Sequence, residues 1–167
     1  MTKEHSFDIE SNFDRQELVN AINQTKKELE NRYDFRTSPF EINFDDKNKL
    51  IIITAEDDYK LKALIDTLVI RATKRGLSPK IFDLSFPVEQ ASGGFSRKPI
   101  KLISGITSEN AKTINKLIRD SFKRAKTQVQ GEIVRVFSSS IDELQAIQGL
   151  LRETKEIKIP LQFTNFR

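Results

Sequence analysis

The spacing of apolar residues changes in the same order twice along the chain. In the first copy, Ser6-Phe7-Asp8-Ile9-Glu10 alternates with the period of a half-buried strand. A stripe at 3.6-residue spacing follows and predicts a helix that begins at a capping box of Asp14 and Glu17 and ends near Tyr33. The rest of this copy is predicted as a hairpin, a helix stopped at Gly76, and a last strand, over residues 40–44, 50–54, 61–72 and 81–84.

The second copy repeats this order after a connector. Residues 85–94 include Pro87, Gly93 and Gly94 and little charge, which is typical of a linker and marks a boundary between the copies. The second copy is predicted as strand, helix, hairpin, helix and strand over residues 98–103, 108–122, 126–130, 133–137, 141–151 and 161–166. Each copy therefore predicts a four-stranded antiparallel sheet with two helices on one face. This is the ferredoxin-like βαββαβ fold of the α+β class, which RRM-like modules share.

The positive charge lies almost entirely in the second copy. Residues 86–167 carry a net charge of +6, from 14 Lys and Arg against 8 Asp and Glu, whereas residues 1–85 carry −2. A duplicated scaffold with one basic half indicates an anionic ligand.

Four of these cations share one face of the helix predicted from Ser108, opposite its apolar residues. With two cations that follow, they form a set that we call the basic patch: Lys112, Lys116, Arg119, Lys123, Arg124 and Lys126. Such a set attracts phosphates, as in nucleic-acid or nucleotide binding. The alternative is a solvated helix face that binds nothing.

The predicted hairpin of the second copy offers a further surface. Its alternation places Gln128, Gln130, Arg135 and Phe137 on the face away from the helices. Amide, guanidinium and phenyl groups can read, grip and stack on a nucleotide, but the same residues are ordinary on the wet face of a sheet.

The sequence offers little to a catalytic or membrane-bound protein. It contains no cysteine, which excludes disulfides, thiol nucleophiles and Cys-ligated zinc, and His5 is its only histidine. It has neither a P-loop nor a G-x-G-x-x-G motif, and no apolar run approaches the ~20 residues that span a bilayer. We therefore expect a cytoplasmic binding protein without catalytic residues, metal, cofactor or membrane association, and not an enzyme.

Several short strings, in order and at matching separations, give the chain a family resemblance. They are Ser6-Phe7-Asp8-Ile9, Arg32-Tyr33-Asp34-Phe35-Arg36, Lys74-Arg75-Gly76, Ala91-Ser92-Gly93-Gly94, Gln128-Val129-Gln130-Gly131, Val134-Arg135-Val136 and Pro160-Leu161-Gln162-Phe163-Thr164-Asn165-Phe166-Arg167. Together they resemble the bacterial YajQ family from end to end.

The resemblance implies two duplicated ferredoxin-like domains that exchange their N-terminal strands. The first would span residues 12–104, with the strand near 98–104 contributed from the second copy. The second, basic domain would comprise residues 105–167 plus 1–11. The resemblance also implies nucleotide binding, with a cyclic dinucleotide such as cyclic di-GMP as one ligand.

Within the matching strings, seven residues have suitable chemistry as phosphate donors or base-stacking surfaces: Phe35, Arg36, Lys74, Arg75, Arg135, Phe166 and Arg167. The structural alternatives are that Phe35 and Phe166 are core residues and that Lys74 and Arg75 stabilise a helix C-terminus.

Three functions stay open from the sequence. The first is a nucleotide-binding sensor or effector, with cyclic di-GMP among its ligands. The second is a module that binds tRNA or single-stranded RNA through the basic patch. The third is a protein-interaction adaptor whose charge serves solubility alone.

Overall fold

The computed structural model describes residues 3–167 and shows an α+β fold. Its elements follow one another along the described residues as β1 (His5–Glu10), α1 (Arg15–Asn31), β2 (Glu41–Asp45), β3 (Leu50–Ala55), α2 (Asp58–Lys74), β4 (Phe82–Asp83), β5 (Glu89–Gln90), β6 (Ser96–Leu102), α3 (Ser108–Ser121), β7 (Lys126–Gln130), β8 (Ile133–Ser138), α4 (Ile141–Glu153) and β9 (Gln162–Thr164). The chain divides into two compact units. We call Phe13–Ile103 the first unit, and Ser104–Arg167 together with the described residues up to Asn12 the second unit.

The first unit contains a sheet in the order β2-β3-β6-β4, with β5 also paired to β6. All of these pairs are antiparallel, and Ile51 of β3 lies opposite Ile100 of β6. The alternation of β3 turns Ile51 and Ile53 into a core that also contains Leu18 of α1 and Leu61 of α2. These side chains are fully buried, so the burial of apolar surface holds both helices on one face of the sheet.

The second unit contains a sheet in the order β7-β8-β1-β9, which is also antiparallel throughout. The N-terminal strand β1 lies inside this sheet, where Phe7 is opposite Val136 and Ile9 is opposite Phe163. Phe7, Ile9 and Val136 are fully buried, as is Ile147 of α4, a helix that packs against β1 and β8. The core of this unit therefore depends on a strand from the start of the chain.

Each α-helix in the described chain begins at a side-chain cap, as polar residues before an apolar stripe predict. Each cap accepts a hydrogen bond from the backbone N–H three residues later, and the four caps are Asp14, Asp57, Thr107 and Ser140. The stop predicted at Gly76 is confirmed, since α2 ends at Lys74 and Gly76 adopts a φ of +88°. No helix within residues 3–167 combines the length and the apolar character that crossing a bilayer requires.

The connector predicted at residues 85–94 is wrong as a boundary, because this segment belongs to the first unit. Glu89 and Gln90 form β5 against Arg97 and Ser96 of β6, and the N–H of Ala91 donates to the carbonyl of Phe95 at 2.7 Å. The chain passes from one unit to the other after Asn12 and after Ile103 instead. Composition misled here because a short edge strand and a glycine-containing turn use the same residues as a linker.

The last strand is shorter than the predicted span of 161–166. Strand β9 ends at Thr164, and Asn165 follows with a φ of +54°, a left-handed conformation that Asn tolerates better than most residues. Pairing with the first strand resumes at Arg167, which exchanges two backbone hydrogen bonds with Ser6. The chain therefore bulges at Asn165.

Candidate functional site

Arg135 lies on the open face of the second unit's sheet and is held by an acid. Its Nε and Nη2 atoms donate to the two carboxylate oxygens of Asp8 at 2.8 and 3.3 Å, and Asn165 Nδ2 donates to the same carboxylate at 2.9 Å. Asn165, which has a left-handed backbone, thus links the segment after β9 to Asp8 of β1, and Arg135 links the same carboxylate to β8. The Arg135 guanidinium holds the pKa of Asp8 below its ordinary value, with Asn165 acting in the same direction, against burial that raises it.

The rest of the hairpin follows the predicted alternation. Gln128 lies opposite Arg135, and Lys126 lies opposite Phe137, so all four share the open face. Val129 lies opposite buried Val134 on the helix side, yet it is 49% exposed because β7 is an edge strand.

The helical part of the basic patch is exposed to solvent throughout. Lys112, Lys116 and Arg119 lie on the face of α3 opposite buried Ala111, Ile114 and Ile118, while Lys123 and Arg124 lie in the exposed turn that follows. None of these five cations forms an ion pair within the described chain. Lys126 is separated from them in direction, because it belongs to the open face of the sheet. The structure therefore presents five exposed cations around α3 and a sixth on the sheet.

A cavity of about 460 Å³ lies in the second unit beside the first turns of α4, and we call it the α4 cavity. It is lined by His5, Ser6, Ile141, Leu144, Gln145, Gln148, Phe166 and Arg167. Two of the residues predicted as nucleotide contacts, Phe166 and Arg167, thus meet at one cavity. Its volume falls in the range of small-molecule sites, roughly 300–1,000 Å³.

Phe166 is presented to this cavity and is not a core residue. One side of its ring stacks against Phe7, with centroids 5.9 Å apart and planes 28° apart, while 61% of the side chain stays exposed. Ile141 at the start of α4 is 54% exposed as well. Among the eight described residues that line the cavity, none carries a carboxylate side chain, and Arg167 supplies a positive charge. Apolar surface beside a cation suits a ligand with a flat ring and an anionic group.

Gln148 is the unusual member of this lining. It is a polar side chain that is 8% exposed, and its amide has no hydrogen-bond partner within residues 3–167. Its amide atoms are not among the buried polar atoms that lack a partner in the described chain, which are Ser11 Oγ, Asn115 Oδ1 and Thr164 Oγ1, so they open onto the cavity. An amide in the wall of a cavity can be satisfied by whatever fills that cavity.

Phe35 and Arg36 are neighbours in sequence but differ in environment. Phe35 is buried in the first unit, edge-to-face with Phe40 at 5.7 Å and with the Arg32 guanidinium 5.6 Å from its ring. Arg36 is exposed and lines a cavity of about 540 Å³ along β2, together with Lys26. Two acids, Glu30 and Glu41, line the same cavity and offset this positive charge. We call it the β2 cavity.

Lys74 and Arg75 lie at the C-terminal end of α2, where they can stabilise the helix without binding a ligand. Lys74 is exposed, whereas Arg75 Nε donates to Glu17 of α1 at 3.0 Å. A cation at this end of a helix is favoured by the macrodipole, and Arg75 also ties the two helices of the first unit together.

Three residues at these surfaces were not predicted from the sequence as contacts: Asp8, Asn165 and Gln148. The partner of Arg135 could not be read from local spacing, since β1 and β8 are distant in sequence. Gln148 did leave a signal, because it interrupts the buried stripe of Leu144, Ile147 and Leu151. Within residues 3–167, no three acidic or histidine side chains cluster so that they could hold a metal ion.

Comparison with known proteins gives a consistent result along the whole chain. A family model described as nucleotide-binding protein YajQ-like matches residues 5–167. The chain is 46% identical over 167 residues to a nucleotide-binding protein of Trichodesmium erythraeum, and 46% identical over 168 residues to one of Chloroflexus aurantiacus. A nucleotide-binding protein of Roseiflexus is 44% identical over 168 residues, and each alignment covers the whole of both chains.

Proposed function

The chain belongs to the YajQ-like family of nucleotide-binding proteins, and from that premise we propose that it binds a nucleotide in the α4 cavity without transforming it. The observation that carries this proposal is the exposed ring of Phe166 next to Arg167 at a cavity without carboxylate side chains. A nucleobase stacks on the free part of the ring, and the phosphate lies near the guanidinium.

Binding without catalysis fits the chemistry of the lining. His5 and Ser6 are the residues most like a base and a nucleophile, but they are adjacent in a strand, so their side chains point to opposite faces of the sheet. The other lining groups are aliphatic, aromatic, amide and guanidinium groups, which bind and orient a ligand.

The ligand class includes cyclic dinucleotides such as cyclic di-GMP. A cyclic dinucleotide carries two bases and two phosphates, so it places one base in the α4 cavity and the remainder over the cavity mouth. A protein that binds such a ligand and does not consume it acts as a sensor or effector through a further partner.

We further propose that each unit is a ferredoxin-like domain and that the two domains exchange their first strands. The support is the strand order of each sheet together with the membership of β1 in the second unit and of β6 in the first. In this arrangement, removing the first strand damages the fold of the second unit.

RNA binding is the second candidate function, and it is favoured by the exposed cations around α3, which form no ion pair within residues 3–167. They resemble the electrostatic surface with which proteins contact several phosphates at once. A protein-interaction adaptor is the third candidate, and it would bind neither a nucleotide nor RNA.

Titration calorimetry of the full chain with cyclic di-GMP, GTP, ATP and a mixed tRNA pool, at low and moderate salt, tests these candidates. We expect saturable binding of a small nucleotide that survives added salt. Phe166→Ala should weaken it about tenfold, since stacking on one base contributes roughly 1–3 kcal/mol. Arg167→Gln should weaken it by a similar factor, since it removes the positive charge near the phosphate. Tyr59→Ala, which removes a ring that is 80% exposed on α2, is the matched control and should leave the affinity unchanged.

Two further variants separate the alternatives. If Arg36→Gln abolishes nucleotide binding and the Phe166 variant does not, the nucleotide lies in the β2 cavity. Replacing Lys112, Lys116, Arg119 and Lys123 with Gln should leave nucleotide affinity intact. Binding of tRNA alone, lost with added salt and in this fourfold variant, would make the chain an RNA-binding protein.

A further inference from the structure

The second helices of the two units can be aligned on their caps. Counted from Asp57 and Ser140, all four buried residues of α4 and four of the six buried residues of α2 fall at the same places, the fourth, seventh, eighth and eleventh residues after the cap. These residues are Leu61, Leu64, Ile65 and Leu68 in α2, and Leu144, Ile147, Gln148 and Leu151 in α4. An aliphatic residue therefore satisfies the eighth position in the first unit, and an amide occupies it in the second.

Packing does not account for this amide. Ile65 and Gln148 are equally buried, each being 8% exposed, so the two positions impose similar burial. An apolar side chain gains free energy from that burial, whereas the amide of Gln148, which forms no hydrogen bond within residues 3–167 and opens onto the α4 cavity, gains less. The difference between the positions is that Gln148 lines the α4 cavity.

Building on the proposed nucleotide site, we propose that Gln148 determines its specificity by hydrogen-bonding the edge of the base. An amide carries a donor and an acceptor side by side, which matches the paired donors and acceptors on a base edge. A phosphate offers acceptors alone, so the amide is better suited to the base. Gln145 lies three residues earlier on the same face of α4 and lines the cavity too, so it brings a second amide within reach of a larger base.

This geometry favours a purine nucleotide. Phe166 covers one face of the base, and the two amides contact its edge, so a bicyclic base engages both the ring and the amides. A single-ring pyrimidine spans less of the cavity and reaches fewer of these groups. Inorganic triphosphate, which has no base, meets Arg167 but neither amide.

The test is calorimetric titration of the full chain with ATP, GTP, CTP, UTP and inorganic triphosphate, for the unmodified protein and for Gln148→Ile. We expect purines to bind at least tenfold more tightly than pyrimidines. Gln148→Ile should lose at least tenfold for the preferred purine and leave triphosphate binding unchanged. Its melting temperature should equal or exceed that of the unmodified protein, because Ile is the residue that α2 has in this position.

Two further variants test the role of the amide: Gln148→Glu changes its hydrogen-bonding groups, and Gln24→Ile is the control. The glutamate keeps acceptors and removes the amide donor, so the ranking of the bases should change. Gln24 is exposed on α1, and its replacement by Ile is the same chemical change away from the cavity, so it should alter no affinity.

Three outcomes would overturn this assignment. If the unmodified protein binds purines and Gln148→Ile binds them equally well, Gln148 does not contact the base, and the proposed nucleotide site is unaffected. If Gln148→Ile melts several degrees lower, the amide has a structural role. If the unmodified protein binds none of these nucleotides, the proposed function fails and the assignment fails with it.

Discussion

Each of the two units contains an antiparallel sheet and two α-helices, but the units differ in the surroundings of their polar side chains. In the first unit the eighth residue after the cap of α2 is apolar, and the candidate contacts Phe35 and Arg75 take part in the packing and ion pairs of that unit. In the second unit the amide of Gln148 has no hydrogen-bond partner within residues 3–167 and opens onto the α4 cavity, which Phe166 also lines. An amide and an aromatic ring that stay available to a ligand therefore meet in the second unit, at the α4 cavity.

Within the second unit, Asp8 and Gln148 show the two ways in which a polar side chain can be buried. Asp8 is 3% exposed, and its carboxylate accepts three hydrogen bonds from Arg135 and Asn165. The side chain of Gln148 is 8% exposed, and its amide has no partner within the described residues but opens onto the α4 cavity. Because a partnered group stabilises the fold and an unpartnered one does not, the two should respond to mutation in opposite directions.

The largest effect should follow from removing the partnered charge. Asp8→Asn removes the negative charge that accepts both Arg135 hydrogen bonds, and because Asp8 is 3% exposed we expect the largest loss in the free energy of unfolding among these variants. Urea unfolding at pH 7, followed by circular dichroism, measures the loss. Glu28→Gln, which breaks the half-exposed pair of Glu28 with Arg71 in the first unit, should lose far less. Equal losses for the two variants would show that the burial of Asp8 does not strengthen its ion pair with Arg135.

The next largest loss of stability should come from Ile65→Gln, which is the reverse of the Gln148→Ile exchange. Ile65→Gln places an amide in the core of the first unit, where we expect a loss of about 2–3 kcal/mol from lost apolar burial and an unmade hydrogen bond. The same urea titration should show no loss for Gln148→Ile. If both exchanges destabilise equally, the two positions do not differ in the way that the cavity implies.

A smaller effect should come from the protonation of Asp8, which changes the free energy of unfolding with pH. Its pKa is lowered in the folded protein, so the unfolded chain binds more protons in acid and stability is lost as the pH falls through the folded pKa. The stability difference between the unmodified protein and Asp8→Asn should therefore be constant near neutral pH. Below the unfolded pKa of about 3.9 it should narrow by at most about 1.4 kcal/mol per pH unit. Unfolding curves at pH 7, 5, 4 and 3 measure this, and a difference that does not change with pH would contradict it.

The sequence predicted the elements better than their partners. Periodicity and capping residues locate the four helices of the described chain, because these features depend on neighbours within one turn or two. The pairing of strands depends instead on residues that are distant in sequence. The alternation of β1 shows that one face is buried but not which sheet the strand joins, so local spacing alone placed a boundary at the connector of residues 85–94.

The candidate site divides in the same way. The chemistry of Phe166 and Arg167 marks them as contacts, but whether Phe166 is in the core depends on the turn at Asn165 and on packing against Phe7. Gln148 is unremarkable in a helix by its composition. It becomes informative only when α4 is aligned with α2, because the comparison shows which residue the fold accepts in that position.

The smallest effect should come from the cations at the end of α2, where structure and function can be separated. Arg75→Gln removes the ion pair with Glu17 and should lower the free energy of unfolding by about 0.5–1 kcal/mol, since such partly exposed pairs contribute little. Lys74→Gln is the matched control, because Lys74 is exposed beside it and forms no ion pair within the described chain. Neither change should alter nucleotide affinity, because in our assignment the phosphate lies at Arg167. A tenfold loss of affinity in Arg75→Gln with stability intact would move the phosphate to α2. The first unit, and not the second, would then hold the ligand.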